Sequence, residues 1–453
     1  MSKKLFKEFN SVSSKAWKQK IQVDLKGADY NDTLIWKTDE DINVKPFYHQ
    51  EDLENNPPLN VPSNTFKIAQ SIFVADIKKS NKKAVNAIKR GAESILFIIP
   101  EKDISVEALL QNIDTTTTSI HFELQFADSE FIKQFASFSE KSYIYIHNDI
   151  IGHLAKSGNW FSSLNNDHDY LKNVLKNTTK LSSSLSINLS LYQNAGASIV
   201  QQLAYGLAHA NEYLNHFKTD LKTPMIFNLS VGTNYFFEIA KIRALKVLWN
   251  TLTSEYNISA DCHIIVTPTK RNKTLYDYNT NMLRTTTECM SAILGGADTI
   301  CNLPYDTIYH KNNEFGERIA RNQLLILKNE SYFDAVSNAS DGSYYIETLT
   351  EQLAEKALEI FKTIEANGGF LHQLKEGIIQ KKIKESANKE QQQFDAGELV
   401  LLGTNKHPNP NDRMKEELEL FPFLKTNARK TLIEPILEKR LAETIEQNRL
   451  KTE

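Results

Sequence analysis

Short apolar runs and longer amphipathic stretches alternate along most of this chain. The apolar runs are rich in Ile, Leu, Phe and Val, and they have the length of buried β-strands. They are SIFVAD from Ser71, SILFIIP from Ser94, SIHFEL from Ser119, SYIYIH from Ser142, LSINLS from Leu185, PMIFNLS from Pro224, DCHIIVTP from Asp261 and DTICNL from Asp298. The pattern therefore predicts eight strands.

Helical patterns, with an apolar residue every three to four positions, fill the gaps between these runs. Examples are SIVQQLAYGLAHANEYLNHF from Ser198 and YFFEIAKIRALKVLWNTL from Tyr235. Strands that alternate with helices are typical of a parallel sheet covered by helices. Eight such repeats over about 250 residues have the size of a closed barrel whose eighth strand pairs with its first. An open, doubly wound sheet alternates in the same way but rarely reaches eight even units. We therefore predict the α/β class and a (β/α)8 TIM barrel.

The two ends of the chain do not follow the repeat. Residues 1–60 are predicted to form an amphipathic helix and an extended arm with spaced aromatic residues. An arm without a core of its own must lie on its own barrel or on another chain. Residues 61–403 are assigned to the barrel and the helices that follow it, and residues 404–453 to a charged helical tail. The roughly forty residues that follow Asp412 are too few for a further domain.

Charge and cysteine content narrow the class of protein. The 53 Lys and Arg residues nearly balance the 56 Asp and Glu residues, so no overall field favours nucleic acid or an acidic membrane surface. The three cysteines, Cys262, Cys289 and Cys301, have no CxxC spacing and are expected to be reduced thiols in the core. The N-terminus lacks the pattern of a signal peptide, and no apolar run has the length of a membrane span. We expect a cytoplasmic protein.

The positions of the histidines in the sequence do not indicate a metal site or a catalytic site. His121 and His147 fall late in consecutive strands, but spacing identifies no third ligand, so no metal site is predicted. His209 and Glu212 lie three residues apart on a predicted helix and are interpreted as part of a solvated face.

Charged residues on the helix from Tyr235 have an equally simple interpretation. Glu238 and Lys241 are three residues apart, and Arg243 follows closely, which is typical of ion pairs on a helix surface. No segment resembles a phosphate loop, a nucleophile elbow or a basic nucleic-acid stripe.

Six longer stretches, in the same order along the chain, carry a family resemblance. They are WKTDEDINVKPFYHQEDL from Trp36, EIAKIRALKVLW from Glu238, NMLRTTTECMSAILGGADTICNLPYD from Asn281, ERIARNQLLILKNES from Glu317, DGSYYIETLTEQLAEKALEIFKTIEANGG from Asp341 and GTNKH from Gly403. These stretches resemble methylmalonyl-CoA mutases, which use adenosylcobalamin to interconvert (R)-methylmalonyl-CoA and succinyl-CoA. The resemblance implies a barrel whose axis takes the acyl-CoA pantetheine and whose C-terminal mouth faces cobalamin on a separate flavodoxin-like domain.

The first strand differs from that of active members of this family. In active members it carries arginine, glutamine and tyrosine in succession, and the tyrosine wedges between cofactor and substrate. The aligned residues in FKIAQSIF are Ala69, Gln70 and Ser71. The guanidinium group and the aromatic ring are therefore both replaced.

Two further strands differ in the same way. The fifth strand of active members ends in glycine, tyrosine and histidine, and this histidine hydrogen-bonds the thioester carbonyl where charge builds up. Here INLSLYQNAGA has Leu189, Ser190 and Leu191 at those positions, and in the seventh strand Ile265 is aligned with a further histidine. The resemblance implies that this chain has no catalytic residue. The degenerate positions are Ala69, Ser71, Ser190, Leu191 and Ile265.

The cofactor half of the family is also not recognisable. Cobalamin binding there resembles an Asp-x-His-x-x-Gly loop, and the nearest string here is DCHIIV, with Asp261 and His263 but with Val266 in place of glycine. Because this string lies in a predicted strand, we interpret His263 as a core residue. We expect no cobalamin-binding domain and no cofactor on this chain.

These observations lead to one leading hypothesis and two alternatives. The leading one is the small, non-catalytic subunit of a heterodimeric methylmalonyl-CoA mutase, with adenosylcobalamin in the partner large subunit and an N-terminal arm that wraps this partner. The second is an active acyl-CoA mutase barrel that uses a separate cobalamin-binding subunit. The third is a free acyl-CoA-binding or chaperone-like barrel.

Overall fold

Eight parallel strands form the central sheet of the computed structural model, which describes residues 8–53, 65–218, 221–259, 261–336, 338–426 and 428–453. We number them β1 to β8 in chain order: Lys67–Phe73, Ser94–Ile99, Ser119–Leu124, Ile144–His147, Ser186–Asn188, Met225–Val231, Cys262–Pro268 and Thr299–Cys301. Neighbouring strands follow the order β4-β3-β2-β1-β8-β7-β6-β5. The eighth strand pairs with the first, since Thr299 lies opposite Lys67 and Cys301 opposite Ala69. The predicted α/β barrel is confirmed.

The seam between β4 and β5 has the fewest regular contacts. A single isolated bridge joins Tyr145 to Ser183, just before β5 begins. The backbone N–H of Ile146 donates to the carbonyl of Ser183 at 2.9 Å, and the N–H of Ser186 donates to the carbonyl of Asn148 at 3.0 Å. The ring of strands is therefore closed at this point by an interrupted ladder.

Helices surround the strands and continue beyond the eighth repeat. The α-helices are Ser14–Asp24, Tyr30–Leu34, Ile77–Lys89, Val106–Leu109, Ser129–Ile132, Ile150–Ser157, Leu164–Asn177, Ser190–Asn194, Ile199–Phe217, Tyr235–Tyr256, Thr280–Gly295, Glu314–Asn329, Tyr344–Ala366, Phe370–Lys375, Ile378–Asp395 and Glu443–Thr452. Short 3-10 turns span Gln50–Asp52 and Lys133–Phe135. Gly296 takes a left-handed conformation, φ 84°, and ends the helix before β8. No helix among the described residues is both long and apolar enough to cross a membrane.

Alternation along the strands separates two regions of the core. On β2, Ile95 and Phe97 point outward and are completely buried under the helices, whereas Leu96 between them points into the barrel. The outward residues join one large apolar cluster with the covering helices. The inward residues are more polar and line the barrel axis, so the barrel interior is where any site must be sought.

The described part of the arm lies on its own barrel. Two short strands, Trp36–Lys37 and Asn43–Val44, pair antiparallel. The Trp36 ring contacts Phe237 at 5.8 Å between centroids, and the Tyr48 ring contacts Tyr345 at 5.2 Å. Helix Ser14–Asp24, in contrast, has no buried residue. Positions 1–7 and 54–64, which include the predicted boundary between arm and barrel, lie outside the described residues.

The tail is helical only at its end, in Glu443–Thr452. This helix confirms the predicted helical C-terminal end, whereas the described residues from 404 to 442 form turns and irregular backbone. Prolines such as Pro422 and Pro435 disfavour a continuous helix, because proline has no backbone N–H. The tail bonds to the barrel instead: the N–H groups of Ile436 and Leu441 donate to the carbonyls of Ala155 and Arg271.

Candidate functional site at the barrel mouth

The C-terminal ends of the strands open into a cavity of about 860 Å³. In TIM barrels this is the face at which active sites are built. Side chains of the strands form its floor, helix Ile150–Ser157 contributes to its wall, and Arg429 and Glu438 of the tail reach its edge. The cavity is therefore the candidate functional site of the chain.

The floor of this cavity is largely apolar. Leu96, Ile226 and Ile265 form a small separate cluster inside the barrel, and Tyr145 packs against it. Leu96 and Ile265 also line the cavity, so the cluster lies at the bottom of the cavity. These side chains fill the barrel axis at the level of the middle of the strands.

A group of neutral imidazoles lies next to the floor. His121 Nδ1 is 3.0 Å from His147 Nε2, and His263 Nε2 is 3.0 Å from the Thr299 hydroxyl. Burial, followed by the neighbouring histidines, holds the pKa of His121 well below its usual value. Burial likewise lowers the pKa of His147 to about 3. Within the described ranges, no group of three or more His, Cys, Asp and Glu side chains has the arrangement of a metal site.

Asp149 ties the strand ends together beside the cavity. Its carboxylate accepts hydrogen bonds from the Tyr213 hydroxyl at 2.8 Å and from the backbone N–H groups of Gly152 and Asn188, and His209 Nε2 lies 2.9 Å away. Burial alone would raise the pKa of Asp149, but His209 and the backbone donors hold it below its usual value. The interpretation of His209 as a solvated residue was wrong, because its side chain is 0% exposed.

Glu212, which lies near His209 on the same helix, also makes a hydrogen bond within the chain. Its carboxylate accepts the backbone N–H of Leu371 at 2.8 Å. The helix Ile199–Phe217 is covered by the following helices, so its polar residues are structural contacts.

The charged residues on helix Tyr235–Tyr256 are buried, and the expectation of a surface ion pair was wrong. Lys241 Nζ lies 2.5 Å from the Glu238 carboxylate and also donates to Gln193 and to the carbonyl of Ser230. Arg243 forms ion pairs with Asp341 and Glu347 in the same way. This helix packs between the helices Ile199–Phe217 and Tyr344–Ala366, so most of its circumference is covered. Spacing alone does not reveal this burial.

The degenerate positions do not all reach the cavity. Ala69, Ser71, Ser190 and Ile265 line it. Leu191 does not line it: this side chain is 1% exposed and belongs to the apolar core. The reason is that β5 ends at Asn188 and a short helix begins at Ser190. Ser190 and Asn194, four residues apart, share the face of this helix toward the cavity, and Leu191 is not on that face.

Sequence reasoning missed several charged residues that face the cavity. Glu123 is the inward residue of β3 near its end, and Lys156 and Lys270 lie close to it. Burial raises the pKa of Glu123, while the two lysines partly oppose this shift. A signal was present in the sequence, because an acid inside the apolar run SIHFEL is unusual for a buried strand.

The string that resembles a cobalamin loop does not fit that cofactor. Val266 is completely buried where glycine would be needed, and His263 lies inside the barrel with Nε2 against Thr299. An imidazole in this place cannot reach a group at the mouth. His263 therefore does not fit the role of a lower axial ligand.

Comparisons with known proteins agree with this architecture. The family model for methylmalonyl-CoA mutase matches residues 104–450. The chain is 34% identical over 490 aligned residues to the methylmalonyl-CoA mutase small subunit of Porphyromonas gingivalis, and the match covers 99% of this chain and 78% of that protein. It is 35% identical over 227 residues to the methylmalonyl-CoA mutase of Cereibacter sphaeroides and 32% identical over 238 residues to that of Rhizobium meliloti. The first of these matches covers 48% of this chain and 32% of that mutase, and the second covers 50% and 33%.

A match over residues 104–450 takes in the barrel from just before its third strand, the helices that follow it and the tail. The similarity to the small subunit extends over almost the whole chain, including the arm. On these grounds, the chain belongs to the methylmalonyl-CoA mutase family.

Proposed function

We propose that this chain is the small subunit of a heterodimeric methylmalonyl-CoA mutase and that it supports a catalytic large subunit without turning over substrate itself. The residues that line the cavity are the observation that supports this proposal. Where active chains that resemble it have an arginine, a tyrosine and a histidine, this cavity has Ala69, Ser71 and Ile265. A radical rearrangement needs polar groups that position and shield its intermediate, and small or apolar side chains do not replace them.

The filled barrel axis gives a second reason. In active chains that resemble this one, the pantetheine of the acyl-CoA threads the barrel. Here Leu96, Ile226 and Ile265, with Tyr145, occupy the axis below the cavity. An extended thiol ester chain would have to displace this packed cluster, at the cost of its buried apolar contacts.

We further propose that the large subunit holds the adenosylcobalamin and that the pair works in the cytoplasm. The position of His263 inside the barrel, with Nε2 against the Thr299 hydroxyl, supports the first statement, since it does not suit an axial ligand. Three free thiols support the second, because free cysteines are typical of reducing compartments.

The arm, residues 1–60, is the proposed partner-wrapping segment, followed by the barrel, residues 61–403, and the tail, residues 404–453. Helix Ser14–Asp24 has no buried residue, and Phe9, Val12 and Val23 expose more than half of their side chains. Trp17 of this helix stacks on Phe47 of the same arm, whereas Val23 on the helix and Val12 just before it stay exposed. Exposed apolar residues that are close together are typical of a surface for another chain.

The test is mutase activity with (R)-methylmalonyl-CoA and adenosylcobalamin, measured for the purified chain alone and after mixing with the large subunit. Light scattering coupled to size-exclusion chromatography reports the complex. We expect an inert single chain, a one-to-one complex, and activity that is abolished only by changes in the large subunit.

Two results would contradict the proposal. Turnover by this chain with only a separate cobalamin-binding protein added would identify an active acyl-CoA mutase barrel. Stable self-association, without complex formation with the large subunit, would favour a free barrel that acts without a catalytic partner.

A further inference from the structure

Three exposed cationic side chains surround the mouth cavity without an acidic partner, whereas the fourth cation of the lining, Arg321, is buried and donates to Gln70. They are Lys156 at the end of helix Ile150–Ser157, Lys270 after β7, and Arg429 in the tail. None of them forms an ion pair within 4.0 Å among the described residues. Arg429 is held by a hydrogen bond to the carbonyl of Ser157. Three separate segments of the chain thus bring unpaired positive charge to one rim.

Two of the four acids of the same lining have their oxygens engaged by other groups of this chain, and a third is shifted toward its neutral form. Asp149 accepts two backbone N–H groups and a tyrosine hydroxyl and lies against His209. Glu317 forms an ion pair with Lys83. Burial shifts Glu123 toward its neutral form. Glu438, an exposed residue of the tail, is the remaining acid of the lining, so positive charge is in excess at the rim.

The wall next to Lys270 carries unused hydrogen-bond donors. The Asn194 side chain is 7% exposed, and its Oδ1 accepts the Thr269 hydroxyl at 2.7 Å and the Lys270 backbone N–H at 2.9 Å. These two donors fix the orientation of the amide, so its Nδ2 is left without a partner among the described residues. The amide of the half-buried Asn188 is oriented in a similar way, because its Oδ1 accepts the backbone N–H of Leu191 at 3.3 Å. The Ser190 hydroxyl, which also lines the cavity, makes no hydrogen bond in the described part of the chain.

An amide nitrogen that faces the cavity without a partner in the protein can bond only water or a bound ligand. Water can do this, but a ligand that brings negative charge and several acceptor oxygens would also pair with the rim. The cavity volume of about 860 Å³ lies in the range of small-molecule sites, roughly 300 to 1,000 Å³.

We propose that this cavity is a binding site for a small hydroxylated carboxylate. Lys156 and Lys270 hold its carboxylate oxygens, Asn188, Asn194 and Ser190 donate to its remaining oxygens, and Glu123 on the floor accepts from its hydroxyl group. The site is independent of mutase activity, because it uses side chains of this chain and no cofactor.

The geometry favours a carboxylate over a phosphate. Phosphate sites are typically built from successive backbone N–H groups or a free helix N-terminus. The helix start next to this cavity is occupied, since Asp149 accepts the N–H of Gly152. The Glu123 carboxyl group on the floor can bond the hydroxyl group of a hydroxy acid whose carboxylate is held by the lysines at the rim.

Isothermal titration calorimetry on the full-length chain tests the proposal, with L-malate, citrate, succinate and inorganic phosphate as probes at constant ionic strength. We expect saturable binding of malate or citrate and weaker binding of succinate, which lacks the hydroxyl group. Lys156→Gln and Lys270→Gln each remove a charge-assisted hydrogen bond and should weaken binding about tenfold. Both lysines are exposed, so the variants should fold, and thermal unfolding checks this.

Lys176→Gln is the matched control, because Lys176 is an exposed lysine that does not line the cavity. It should bind the probe as the wild type does, and Ser190→Ala should weaken binding without changing stability. The proposal is overturned if neither hydroxy acid gives saturable heat in the millimolar range. It is equally overturned if phosphate competes as well as malate does, or if the double lysine variant binds unchanged.

Discussion

The carboxylate of Glu40 caps the helix that begins at Ile199. Its Oε1 lies 2.7 Å from the backbone nitrogen of Ile199, and its Oε2 lies 2.8 Å from that of Val200. The first N–H groups of a helix have no partner within the helix, and negative charge at this end is favourable. Because Glu40 belongs to the arm, the contact fastens the arm to the barrel wall between β5 and β6.

Glu40→Ala should therefore loosen the arm. We expect a loss of about 1 to 2 kcal/mol in the free energy of unfolding, the range of a lost helix cap. Limited proteolysis should cut the arm faster in the variant, while urea denaturation measures the loss. Asp24→Ala is the control, because Asp24 pairs with Lys20 on an exposed helix surface and contributes little. Equal proteolysis rates for both variants would show that Glu40 does not anchor the arm.

Leu191 and Ser190 should respond in opposite ways to histidine. Leu191→His places an imidazole in a packed apolar core without a partner, and we expect a loss of about 3 kcal/mol or more. Ser190→His points into the cavity and should change stability much less. Chemical denaturation of both variants decides between them. A stable Leu191→His protein would mean that this position faces the cavity after all.

The buried pair of Lys241 and Glu238 should be costly to break from one side. Lys241→Met leaves a buried carboxylate unpaired and should cost about 3 to 5 kcal/mol. Adding Glu238→Gln removes that charge and should recover part of the loss, which a double-mutant cycle measures. Lys382→Met, on the exposed pair with Glu385, should have an effect below about 1 kcal/mol. If the double variant loses more free energy of unfolding than the two single variants lose together, the unpaired charge is not the cause.

His147 should make stability depend on pH below neutrality. Its pKa is about 3 in the folded chain and near the usual 6.5 when unfolded, mainly because of burial. The unfolded chain therefore binds one more proton between these values, so stability is full above pH 6.5 and falls as the pH drops toward 3. The slope from one proton is about 1.4 kcal/mol per pH unit.

Urea denaturation between pH 7 and pH 4 measures this slope. His147→Gln removes the titrating ring and should flatten the dependence by about one proton. His372→Gln, the same substitution at an exposed position, is the control. An unchanged slope in His147→Gln would show that this imidazole is not the group that takes up the proton.

The barrel could be predicted from the sequence, because buried strands are short, apolar and regularly spaced, and eight of them close a ring. The buried ion pair of Lys241 could not, since the same three-residue spacing occurs on exposed helices. The place of Leu191 was also beyond reach, because one change from strand to helix after Asn188 turned its side chain into the core. Local sequence patterns predict the strands and helices, whereas the burial of a side chain depends on neighbours that are distant in the sequence.

The ring of strands consists of two halves, β1 to β4 and β5 to β8, which meet at two joins. The two joins differ, because the ladder between β4 and β5 is interrupted. At β1 and β8 the halves meet through paired backbone, but at the other join side chains do much of the bonding, with Asn148 donating to the carbonyl of Ser184 and Asp149 accepting from Asn188. Regions with few protected backbone hydrogen bonds open at the lowest free energy. Native-state fluctuations of this barrel should therefore begin at the β4–β5 join, and they would admit solvent to the ring interior long before global unfolding.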